Sequence, residues 1–404
     1  MEIELLWGFL LLALLLGWLL GFYAKSTWIK KAQPYTASPH IKHRLQLLFD
    51  PYSDESIDQF VHSLEVNPET FSTHISIGKH FRTQGEVEKA ILIHQNLMAH
   101  PELPQIASES VIYELAKDYK KAGLLDRAEA LLQQLSTSKQ YGFKSLKLLL
   151  KVYEDEKDWE NAVSKGLELE LKKYPEIALR VAQYCCELAE VEQQRGQLSE
   201  VQRYYKQALS INKACVRALI GLARLDIEQE ECALALNSLK KVAIFSPENI
   251  TLILPLLLEC AIAKQTYAQH LLYLEKLFEE TGQVAIMLAV VESLLIQGKK
   301  EKAYHYLQAQ IYLRPSLSAL DLMFKRYASE SLNESSLASF PEQSLTKNYG
   351  SMWGVVAKVV DDLTRGKSAF RCQECGFSGA QHHWMCPSCK GWQSTYPIAD
   401  HEHT

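Results

Sequence analysis

An all-α array of stacked helix pairs, preceded by one membrane-spanning helix and closed by a small four-cysteine metal ribbon, is the fold this 404-residue sequence predicts. Three observations predict it. Leu5 to Tyr23 is an uncharged apolar run; small residues, aromatics and prolines recur at about 34-residue intervals; and two C-x-x-C pairs crowd residues 372–389. The composition agrees, being rich in helix formers and poor in Gly and Pro. With Lys plus Arg at 43 and Asp plus Glu at 48, the net charge of -5 gives no general pull toward nucleic acid or anionic lipid.

The apolar run reads LLWGFLLLALLLGWLLGFY. As a helix its nineteen residues extend roughly 29 Å, enough to cross a bilayer core. Trp7, Trp18 and Tyr23 suit the interfacial zones. A cleaved signal peptide wants a basic start and a shorter apolar stretch, whereas this one begins with Glu2 and Glu4. Lys25, Lys30 and Lys31 follow the span and no basic residue precedes it. The positive-inside rule therefore leaves the remaining chain in the cytoplasm. Five scattered cysteines (185, 186, 215, 232 and 260) read as small buried apolar side chains in a reducing compartment.

Repeat units are predicted to start near 37, 71, 109, 143, 182, 216, 250 and 284. In the second unit Gly78 is the small residue of the first helix, Phe81 the aromatic, Gly85 the turn and Ala90 the small residue of the second helix. Ala116, Tyr119, Gly123 and Ala128 repeat the pattern, and Ala162, Ala235 and Ala303 fill the second-helix slot again. Val201 and Gln269 are expected to replace it in the units near 182 and 250, while Pro68, Pro247 and Pro315 close units. A single pair cannot bury its apolar face, so neighbours must stack. The pattern resembles the tetratricopeptide repeat over residues 37–317. That resemblance implies a superhelix with a protein-binding groove and no catalysis.

The end of the chain reads FRCQECGFSGAQHHWMCPSCKGWQS. Cys372, Cys375, Cys386 and Cys389 form two knuckles that would complete a tetrahedral S4 site for one metal ion, zinc by preference, with iron admitted by the same geometry. Four thiolates leave no open coordination position for catalysis. Gly376 and Pro387 suit the turns, and Phe370, Phe377, Trp384 and Trp392 are expected to build the ribbon's small core. His382, His383, His401 and His403 read as loop and tail residues. Only Arg371 and Lys390 flank the site, which argues against a nucleic-acid reader. Gly366-Lys367-Ser368 ends like a phosphate-binding loop, but Asp361 stands at the opening glycine and no strand precedes it. No other catalytic motif is present, so a non-enzyme is expected.

The chain thus divides into an anchor (1–24), a juxtamembrane tether (25–36), the array (37–330), a linker with one amphipathic helix (331–369), the ribbon (370–397) and a tail (398–404). Anchor, array and a rubredoxin-like ribbon in this order resemble the bacterial lipopolysaccharide assembly protein B (LapB) family. The most specific stretches are His74 to Met98, Tyr113 to Leu135 and RCQECGF…WMCPSC. The resemblance implies an inner-membrane adaptor that promotes proteolysis of the deacetylase LpxC by the membrane protease FtsH, so restraining lipopolysaccharide synthesis; other lipopolysaccharide assembly proteins are further candidate partners. Two other classes stay open on the residues alone. One is a general membrane-tethered scaffold or co-chaperone; the other is a redox protein with an iron ribbon.

Overall fold

The computed structural model describes residues 70–100, 104–169, 171–323, 359–360 and 368–398. The expected anchor, tether, first repeat unit and polar linker, and the tail after residue 398, lie outside these residues. No helix among the described residues is long and apolar enough to cross a membrane.

Among the described residues fourteen helices follow one another as seven pairs. They are α1 Phe71–Gln84 with α2 Val87–Met98, α3 Gln105–Lys121 with α4 Leu125–Leu135, and α5 Gly142–Glu156 with α6 Trp159–Leu167. Next come α7 Pro175–Gln194 with α8 Leu198–Ile211, and α9 Val216–Glu228 with α10 Cys232–Phe245. A 3₁₀ turn, Pro247–Leu252, precedes α11 Leu254–Lys264 with α12 Tyr267–Thr281, and α13 Val284–Ile296 pairs with α14 Lys300–Leu313. Residues 317–323 are again helical.

One backbone feature sets the register of every pair. The turn between paired helices holds a residue with positive φ: Gly85, Gly123, Lys157, Gly196, Glu230, Gln265 and Gly298. A left-handed residue there ends the first helix and lets the second fold back. Five residues later, at the fourth position of the second helix, stands the small buried slot. Ala90, Ala128, Ala162, Val201, Ala235 and Ala303 occupy it with no exposed surface. In the sixth pair the same count from Gln265 reaches His270, which is buried, whereas Gln269 faces solvent. The expected Gln269 is thus corrected to His270. The sequence pattern failed there because neither the turn nor the slot carries its usual residue. The units expected near 182 and 250 also move, with helices starting at Pro175 and Leu254. Proline is accommodated in the first turn of both helices. Pro247 and Pro315 each stand two residues beyond a second helix, as expected of a stop.

The chain divides into two compact units between Leu131 and Leu132. In the first, Ile75, Leu97 and Val111 form the apolar centre with Phe71 against it. Beside them runs a buried polar network. Arg82 of α1 donates to Asp118 of α3 at 2.7 Å and to Glu114 at 2.6 Å, and His94 of α2 bonds the other Asp118 oxygen. Gly78 makes room for His94, since a Cβ there would stand 2.6 Å from the imidazole. In the second unit a continuous core runs from Val216 through Leu239, Leu257, Leu274 and Val290 to Ala319. All five scattered cysteines are buried. Burial pushes the Cys185 and Cys260 thiols up to about 12, which leaves them apolar filling.

Candidate metal centre

The ribbon is a three-stranded antiparallel sheet, β1 Phe370–Cys372 flanked by β2 Ser378–Gly379 and β3 Thr395–Pro397. Cys372 lies in register with Thr395. Strands this short have little stability of their own.

The two knuckles share one backbone design. Cys372 N–H donates to Phe377 O and Gly376 N–H returns to Cys372 O; Cys386 N–H donates to Gly391 O and Lys390 N–H returns to Cys386 O. The fifth residue of each knuckle has positive φ, Gly376 at 77° and Lys390 at 60°. These turns bring all four Sγ atoms within 4.8 Å of one another. Cys372 and Cys389 are 3.7 Å apart, and Cys375 and Cys386 3.6 Å. A tetrahedron with metal–sulfur bonds of about 2.3 Å has sulfur–sulfur edges of about 3.8 Å, so the cage fits one zinc-sized ion. Burial raises the Cys372 thiol, but the Ser394 hydroxyl and the N–H groups of Cys375 and Glu374 outweigh it and bring the thiol down to about 6. A group ionised at neutral pH suits a metal ligand. Cys375 and Cys389 are exposed, while Cys372 and Cys386 are buried.

The ribbon does not stand alone. Trp392, three residues beyond Cys389, leaves the ribbon and enters the array. Its Nε1 donates to Glu154 Oε1 at 2.7 Å. The same oxygen accepts the Tyr184 hydroxyl at 2.6 Å and Arg180 Nε at 3.0 Å, and Arg180 also pairs with Oε2. Burial and the Glu154 carboxylate push the Tyr184 phenol upward, so it remains a donor. The indole of Trp392 meets both array aromatics edge-on, Trp159 at 6.2 Å and Tyr184 at 6.1 Å, while those two stack at 5.8 Å. Gln183 Nε2 reaches Gln393 Oε1 at 3.5 Å, and β3 lies against the 3₁₀ turn.

Trp384 packs against the core of the second unit and lines a hollow with Tyr205, Arg217 and Arg224. The expectation that Trp384 and Trp392 build the ribbon's own core is therefore corrected. A module this small cannot bury two indoles itself, and the array supplies the missing apolar surface. Phe370 and Phe377 do stay local, edge-on to His382 at 5.4 Å and to His383 at 6.3 Å. Sequence reasoning missed Glu154, Trp159, Arg180 and Tyr184. They lie more than 200 positions from Trp392, and no local pattern joins them.

His382 sits between Phe370 and Trp384. Burial lowers its pKa from 6.5 to about 4. A histidine held neutral in the fold stabilises it fully above its unfolded value and loses that contribution as pH falls from 6.5 toward 4. With zinc kept saturating, acidification through this window should loosen the ribbon, read as a shift in tryptophan emission. Thiolate protonation affects wild type and H382F alike, so the difference between their pH profiles isolates the imidazole. Identical profiles would remove His382 from the account.

A family model described as a rubredoxin metal binding domain matches residues 370–395, which span the cage and Trp392. The whole chain is similar to curated proteins named Lipopolysaccharide assembly protein B. That of Escherichia coli K12 is 26% identical over 396 residues, covering 98% of each chain. That of Haemophilus influenzae Rd is 26% identical over 412 residues, covering 99% of this chain and all of that one. Among solved structures, a tetratricopeptide repeat protein from Parabacteroides merdae aligns with a TM-score of 0.32 at 15% identity, covering 61% of this chain and 94% of that one. MamA from AMB-1 aligns at 0.31 and 17%, covering 44% and 91%. These scores are too low to bear on the fold, which rests on the helix-pair register.

Proposed function

Because the chain is a homologue of lipopolysaccharide assembly protein B along its whole length, we propose that it is a membrane-tethered adaptor in lipopolysaccharide assembly. In this reading Leu5–Tyr23 anchors it in the inner membrane with the array in the cytoplasm. The array holds LpxC, and the anchor keeps it beside FtsH, where a shared membrane raises the effective concentration of the partners. Cys372, Cys375, Cys386 and Cys389 bind one zinc ion with a structural role. The observation that carries the reading is the end-to-end match together with a metal cage built into the array rather than dangling from it.

The test is the lifetime of LpxC after protein synthesis is blocked, in cells with the full-length, anchorless (lacking 1–24), ribbonless or no protein. Absence should lengthen the lifetime, and both truncations should restore it only partly. A reporter fused after Thr404 should be active on the cytoplasmic side in the full-length strain. Equal decay in all four strains would overturn the proteolytic reading and leave the general scaffold in its place.

A further inference from the structure

The first helices of the sixth and seventh pairs, α11 and α13, line a groove of about 590 Å³. Its volume lies in the range of ligand-holding clefts, roughly 300–1,000 Å³. One wall is the Leu254, Leu258, Ile262 stripe, spaced one helical turn apart, and the other is Ala285, Leu288 and Ala289. Ile262 is left 44% exposed. Two carboxylates break the apolar surface, Glu259 on one wall and Glu292 on the other. Both are exposed, and among the described residues no cation lines the groove and neither carboxylate forms an ion pair. His270 lines it too, with its pKa lowered by burial, so it adds no positive charge at neutral pH.

We propose that this groove docks an amphipathic α-helix of a partner protein, with apolar side chains on one face and Lys or Arg at its flanks. The walls choose the helix. Most backbone groups of the walls are spent within α11 and α13. Beside the two carboxylates, the described lining offers only the Thr251 hydroxyl and the His270 imidazole as polar side chains, too few for the amides of an extended chain. An extended peptide would bury amide groups without partners, whereas a helix satisfies its own. The carboxylates choose the charge, because a basic flank gives each a partner and an acidic one adds repulsion. Residues one turn apart on such a helix match the turn-by-turn spacing of the wall. The proposal rests on the adaptor reading for its context and names the chemistry of the segment the array would hold.

The probes are labelled synthetic peptides carrying Leu at i, i+4 and i+7. One is flanked by Lys, one by Glu, and one is the Lys peptide with a central Pro. Fluorescence anisotropy with the full-length chain in detergent should show the Lys peptide binding, with the Glu peptide weaker by roughly tenfold, the scale of two partly desolvated ion pairs. The Pro peptide should bind as weakly. E259K with E292K should reverse the preference for Lys over Glu, a result that general unfolding does not produce. A289W should block both peptides while leaving zinc content unchanged.

Equal binding of all three peptides, or an unchanged preference in the charge-swapped protein, overturns the proposal. It also falls if removing residues 349–363 creates the binding, since that segment of the chain is then the occupant. It falls likewise if A289W abolishes self-association, since a second copy then fills the groove. If the protein shortens LpxC lifetime but E259K/E292K does so equally well, the groove proposal fails alone. If LpxC lifetime ignores the protein while the peptide preferences hold, the adaptor reading fails alone.

Discussion

Stripping the metal from the purified chain should release the ribbon from the array while leaving the helix pairs folded. The unaltered protein should contain one zinc per chain. The three strands offer only a few backbone bonds, so the four sulfurs are what hold the two knuckles together. Both anchoring indoles are placed by the second knuckle, Trp384 two residues before Cys386 and Trp392 three residues after Cys389. Burying an indole stabilises by on the order of 4 kcal/mol, but only if its backbone is held in place.

A strong chelator, or C372S with C375S, should therefore red-shift tryptophan emission. Hydrogen exchange should quicken at Gln373, Cys386 and Lys390 while the helical core near Val216 and Leu239 stays protected. W392F should keep its zinc yet lose the Glu154 bond, separating metal binding from docking. An apo protein with unchanged emission and exchange would show that the docking holds the ribbon without the ion.

Replacing Asp118 should be the most damaging single change in the first unit. Its side chain is fully buried and ties three helices, accepting from Arg82 of α1 and bonding His94 of α2 from its place on α3. D118A leaves the Arg82 guanidinium beside an empty space, with only Glu114 as an acidic partner within that network. Breaking a buried pair from one side costs about 3–5 kcal/mol, because the remaining charge keeps its desolvation penalty. D118A should lower the unfolding free energy of residues 71–121 by that amount, read by hydrogen exchange of α1 and α2. R82M combined with D118L should recover much of the loss, since no uncompensated charge then remains at the pair. A loss below about 1 kcal/mol in D118A would place the network among ordinary surface pairs.

What the residues determined alone was whatever is written locally. Two C-x-x-C pairs identify a cage because each knuckle is closed by hydrogen bonds between near neighbours, and Gly376 supplies its own positive φ. The Ala90, Ala128, Ala162, Ala235 and Ala303 slots are legible because close packing of paired helices demands a small residue at a constant interval. The sixth pair escaped that reading, since Gln265 and His270 satisfy the backbone and the packing without the usual residue types.

Tertiary structure alone decided where the ribbon's tryptophans go. Glu154, Trp159, Arg180 and Tyr184 each look ordinary in their own helices, and Trp392 looks like a residue of the ribbon's core. Only the folded array brings one carboxylate, two rings and a guanidinium to the same point. The energy of that contact comes from burying rings and pairing polar groups that lie far apart in the chain, and no local pattern records it.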